Sequence, residues 1–92
     1  MSNEEKYLIM TFPNTPSVME AEGVLKERFS VTIMPIPREL TASCGLAVRF
    51  LDAQEDAVLS YLSENPLRGS LYEMGVEKTD GRHPIRLLLS NS

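Results

Sequence analysis

The 92-residue chain contains no tryptophan, one histidine and one cysteine, Cys44. A single cysteine cannot form an intramolecular disulfide, so the chain is not a disulfide-stapled secreted scaffold. With 3 Phe and 3 Tyr, the interior must be filled mainly by Leu, Ile, Val and Met. One Cys and one His fall short of the three or four ligands of a zinc site unless distant carboxylates contribute. We therefore expect no bound metal or cofactor.

Long apolar runs and clusters of basic residues are also missing. No apolar stretch approaches the roughly 20 residues that span a bilayer, and Tyr7 to Met10 is too short for the core of a signal peptide. Nine basic residues, scattered singly, stand against 13 acidic ones, for a net charge of -4. An acidic surface repels nucleic acid and anionic lipid. The sequence thus predicts a cytoplasmic protein with no nucleic-acid or membrane partner.

The size and composition fit one small globular domain, residues 1–92. Hydrophobic periodicity predicts four strands, at residues 6–12, 31–37, 45–51 and about 70–78. Two amphipathic helices are expected between them, the first capped by Thr15 before Pro16. The second opens on a capping-box analogue formed by Asp52 and Glu55 and ends at Asn65.

This order of elements predicts an α+β fold, a ferredoxin-like two-layer sandwich with the order βαββαβ. The first and third strands would be central, and the second and fourth would be edges. Pro35 and Pro37 favour an edge position for the second strand, and charged residues favour one for the fourth. Residues 83–89 could form a fifth C-terminal strand, pair with another subunit or pack as an apolar tail, and we favour the strand.

The topology alone places Cys44 where the third strand starts, beside the end of the first strand and the start of the first helix. A helix N-terminus presents N–H donors and partial positive charge, which stabilise a nucleophilic thiolate. Arg38 lies in the same connection, and Gly45 leaves space next to the sulfur. The competing interpretation is an inert buried cysteine, since free Cys is usually a small hydrophobe. His83, by contrast, has no nearby acid at ligand spacing and is predicted to be a surface residue.

The stretch from Ile36 to Phe50 carries a recognisable pattern and resembles the selenium/sulfur (Se/S) carrier protein-like family of small bacterial domains. Thr41 stands where that pattern has serine. The matching residues in this block are Pro37, Arg38, Glu39, Leu40, Ser43, Cys44, Gly45, Ala47 and Arg49. Tyr7, Phe12 and Thr15 match the family's opening strand and helix. The similarity covers roughly the first fifty to sixty residues.

The resemblance implies a carrier thiol. Cys44 would take up sulfur or selenium as a persulfide or selenopersulfide, Arg38 would stabilise the anion, and Ser43 and Gly45 would shape the pocket. Its partners would be a sulfur or selenium donor protein and an acceptor protein, so a carrier is favoured over a true enzyme. The alternative is a non-catalytic regulatory or dimerisation module that binds a small molecule or a partner, with Cys44 structural; such a chain could form a homodimer.

Overall fold

The computed structural model describes residues 6–37, 40, 45–75 and 84–91, and within them the chain forms five strands and two helices. Their bounds in chain order are β1 Lys6–Thr11, α1 Thr15–Leu25, β2 Val31–Pro35, β3 Leu46–Phe50, α2 Glu55–Glu64, β4 Gly69–Gly75 and β5 Ile85–Asn91. Within these residues no helix is long and apolar enough to cross a membrane.

All five strands belong to one antiparallel sheet with the order β2-β3-β1-β4-β5. The α+β two-layer sandwich predicted from the sequence is thereby confirmed, together with the C-terminal strand. β1 and β3 are internal and β2 is an edge, as its prolines indicated. The prediction that β4 is an edge is wrong, because β5 pairs with it along its length. The register shifts between Leu71 and Tyr72, where Leu88 is the extra residue of β5.

The main core lies between the sheet and the two helices. Alternate residues of each strand point toward the helices, and both helices contribute an apolar stripe. Buried members of this core are Leu8, Met10, Phe12, Val18, Ala21, Leu25, Val48, Phe50, Val58, Leu62 and Leu71. The rings of Phe50 and Tyr61 each meet Phe29 edge-on at 5.6 Å between centroids, which ties α2 to β3.

The helix starts differ from the sequence prediction. Asn14, not Thr15, is the N-cap of α1, and its Oδ1 accepts a hydrogen bond from the Ser17 N–H at 2.8 Å. Gln54 precedes α2 without a capping hydrogen bond from its side chain, so the capping box of Asp52 and Glu55 is not formed. The two acidic residues in the first turn of α2, Glu55 and Asp56, still interact favourably with the partial positive charge at the N-terminus of the helix.

Candidate functional site

The connection between β2 and β3 holds the residues that the sequence singled out. Of the four predicted site residues, Gly45 lies in the described part of the chain. Cys44, Arg38 and Ser43 lie outside the described residues, and so does His83, so their roles stay predictions. The described residues on either side of Cys44 nevertheless show how the two ends of this connection are attached to the sheet.

Gly45, the residue after Cys44, has a left-handed backbone conformation with φ of 74°. Its carbonyl accepts a hydrogen bond from the Ile36 N–H at 2.9 Å, which joins the two ends of the connection just beyond the last ladder pair, Pro35 with Leu46. Only glycine adopts this conformation at little cost. The requirement for glycine here is therefore set by the backbone, and no atom lies within 4 Å of where a Cβ would be.

Leu40 anchors the middle of the same connection. The residue is 8% exposed and packs with Ile9, Ala47 and Met74 on the side of the sheet that the helices do not cover, here called the open face. Its N–H donates to the Pro37 carbonyl at 2.9 Å. Its burial was not predicted from the sequence, in which Glu39 and Thr41 flank it. A lone leucine among polar residues was the available signal.

The start of α1 lies beside the start of β3, since Thr11 pairs with Ala47. The N–H donors expected there for a thiolate are mostly engaged within the helix. Pro16 has no N–H, while the Ser17 and Val18 N–H groups donate to the Asn14 side chain and carbonyl. What this end can offer a neighbouring anion is mainly the partial positive charge of the helix.

Arg49 is the residue to which sequence reasoning assigned no role. Its guanidinium carbon lies 4.1 Å from the centre of the Tyr7 ring, and its Nε is buried without a hydrogen-bond partner. Arg49 and Tyr7 both belong to the residues that match the family pattern, yet 42 positions separate them in the sequence. Only the pairing of β1 with β3 brings them together, through Ile9 opposite Arg49.

Among the residues that the structure describes, no group of three or more His, Cys, Asp and Glu side chains could hold a metal ion. Two shallow clefts, of about 40 and 70 Å³, lie on the helix side between Phe12 and Arg68 and between Lys6 and Ala53. Each has room for only a few waters.

Comparison with known families identifies the class of protein. Residues 6–73 match the model of the family described as "Putative Se/S carrier protein-like". The chain belongs to this family, and the match spans β1 to β4, including the whole block around Cys44.

A curated relative is an uncharacterised protein of Methanocaldococcus jannaschii, 31% identical over 67 residues. The alignment covers 73% of this chain but 34% of that protein, so the chain spans about a third of the relative's length. No solved structure matches the chain.

Proposed function

We propose that this protein carries sulfur or selenium on Cys44, receiving the atom from a donor protein and passing it to an acceptor protein. The observation that carries the proposal is the family match over residues 6–73, a range that includes the Cys44 block. Cys44 is also the only cysteine of the chain, so any persulfide formed on a cysteine must form there.

The proposed transfer is a thiol exchange without net oxidation. The Cys44 thiolate attacks the terminal sulfur of a cysteine persulfide on the donor, and the bond between the two donor sulfurs breaks. The donor leaves as a thiolate, and Cys44 becomes the persulfide. An acceptor thiolate then takes the terminal sulfur in the same way and regenerates Cys44. A selenium atom would follow the same path, and no second cysteine is required on the carrier.

The described residues around the connection between β2 and β3 support this role. The left-handed Gly45 has no Cβ and no neighbour within 4 Å at that point, which leaves space for a second protein beside the preceding residue. Leu40 packs against the sheet, which attaches the middle of the connection to the fold. The partial positive charge at the start of α1 favours the thiolate form. Arg38 is proposed to stabilise the anion, with Ser43 completing the pocket.

The test is the intact mass of the protein after incubation with a cysteine desulfurase and cysteine, beside Cys44→Ser. We expect the wild type to gain one sulfur atom, reversibly on addition of dithiothreitol, and the variant to gain none. A wild type that stays unloaded while the desulfurase demonstrably releases sulfur would refute the carrier role. A selenium donor in place of the sulfur donor then decides which element is preferred.

A regulatory or dimerisation module is the second candidate, favoured by one observation. β5 lies at the end of the sheet, and its Leu87 is 55% exposed. An apolar edge strand can pair with a second chain. This candidate predicts that Cys44→Ser retains every measurable behaviour and that the chain associates in a concentration-dependent way on sedimentation.

A further inference from the structure

The open face of the sheet is apolar, although a solvated sheet face is ordinarily polar. Ile9, Ala47 and Met74 of this face are fully buried, and Leu40 is the member of their cluster that comes from outside the strands. Tyr7, Tyr72 and Ile85 are only partly buried around them. The helices contribute to the core on the other side, so a rim of aromatic and aliphatic side chains is left in contact with water.

Arg49 stands in this apolar surface. One row across the open face runs Thr32, Arg49, Ile9, Tyr72 and Leu87, from β2 to β5. Among the described strand residues that point to this side, Arg49 is the only charged one. The ion pairs given by the described residues join Lys6 and Arg86 to carboxylates near the start of α2, and none of them includes Arg49.

The Arg49 guanidinium is held in place, and no ion pair between described residues neutralises it. Tyr7 lies under it at 4.1 Å, and the Tyr7 hydroxyl donates to Met74 Sδ at 3.2 Å, which fixes the ring. The Nε has no partner, and an orphaned buried N–H is costly enough to require an explanation. A preorganised guanidinium that has no ion-pair partner among the described residues and lies among apolar groups is complementary to a carboxylate flanked by apolar side chains.

We propose that the open face around Arg49 and Tyr7 is a docking surface for a partner-protein segment that places a carboxylate between apolar side chains. Gly45 directly precedes β3, the strand that carries Arg49, so the surface adjoins the end of the connection that carries Cys44. The inference rests on the proposed function, because it describes how a donor or acceptor protein would be positioned. Nucleic acid is disfavoured, because the described strand residues of this face offer a single cation on a chain of net charge -4.

The test is an NMR titration of the isotope-labelled full chain with two probe peptides, acetyl-Phe-Glu-Phe-amide and acetyl-Phe-Gln-Phe-amide. We expect saturable shifts at the Arg49 Nε–H and the Tyr7 ring, with the Glu peptide binding at least fivefold more tightly. That preference should weaken at high salt. Equal affinity for the two peptides, or shifts confined to the helix side, would overturn the proposal. Sodium acetate with the same affinity as the Glu peptide would indicate a small-anion site and would also overturn it.

Variants separate the charge from the fold. Arg49→Met should abolish the preference for the Glu peptide. Arg49→Lys keeps the charge but lacks the planar guanidinium that can bind a carboxylate with two hydrogen bonds, so it should retain part of the preference. Arg28→Met is the matched control, because Arg28 also lies over a tyrosine ring, that of Tyr61 at 5.4 Å, away from the open face. The control should bind both peptides as the wild type does. A preference unchanged in both Arg49 variants contradicts the docking surface.

Sulfur loading separates this inference from the carrier role. Inorganic polysulfide can load a thiol without a docked protein, so Arg49→Met should gain sulfur on Cys44 as readily as the wild type. Failure of the wild type to load would refute the proposed carrier function, while the peptide titration would still report on the surface. Normal loading with no peptide preference would refute the docking surface alone.

Discussion

The left-handed backbone conformation of Gly45, the residue after Cys44, can be tested directly by substitution. Replacement by alanine meets no neighbouring atom, since nothing lies within 4 Å of the added Cβ. The cost is therefore only that of holding an L-residue at φ of 74°, which is about 1–2 kcal/mol. We expect Gly45→Ala to lower the free energy of unfolding by that amount. Gly45→Asn should lose less, because asparagine tolerates this region better than alanine.

Gly23 supplies the matched control. It lies inside α1, its added Cβ also meets nothing within 4 Å, and it does not have a left-handed φ. Gly23→Ala should therefore raise the free energy of unfolding by about 0.5–1 kcal/mol, through the higher helix propensity of alanine. The two alanine variants should consequently differ by about 2 kcal/mol, although each adds one methyl group to open space.

Urea unfolding monitored by circular dichroism measures the difference, with the midpoint expected to move and the m-value to stay constant. In a domain of this size, about 1 kcal/mol corresponds to about 4–8 °C in the melting temperature. If Gly45→Ala were as stable as the wild type, or gained stability as Gly23→Ala does, Gly45 would not need the left-handed conformation.

Two further predictions concern packing around the site. Gly69→Ala should lower the free energy of unfolding, measured in urea, by about 2–3 kcal/mol. The added Cβ would collide with the Thr11 carbonyl oxygen and approach Phe12 Cδ1 to 2.9 Å. A variant as stable as the wild type would show that the backbone at Thr11 can shift. Leu40→Ala should also lower the free energy of unfolding by about 2–3 kcal/mol, because it truncates a buried side chain on the open face. The exposed Leu87→Ala is its control and should stay within about 0.5 kcal/mol of the wild type; equal losses would contradict the anchoring role of Leu40.

The order and type of the elements were predictable because each has a local cause. The order of the elements predicted that β1 is internal, and Pro35 and Pro37 indicated an edge for β2; both predictions are confirmed. The block around Cys44 was sufficient to indicate the family, since its motif is contiguous in sequence. The roles of Cys44, Arg38 and Ser43 stay predictions.

The position of β4 was not predictable from its own residues. Its charged residue Glu73 was interpreted as a sign of an exposed edge. In the sheet, Glu73 instead pairs across strands with Arg86 of β5, 3.2 Å between Oε1 and Nη2. The charges within one strand do not reveal whether a later strand supplies residues of opposite charge. That depends on whether the C-terminal part of the chain pairs with this strand.

The sequence by itself determined the local features: strand and helix periodicity, the breaks at prolines, the single cysteine and the motif around it. These depend on neighbours a few residues apart. Only the tertiary structure decided that Leu40 is buried on the open face and that Arg49 lies over Tyr7. Both contacts join residues far apart in the chain, and cross-strand register, which sets them, results from the packing of the whole sheet.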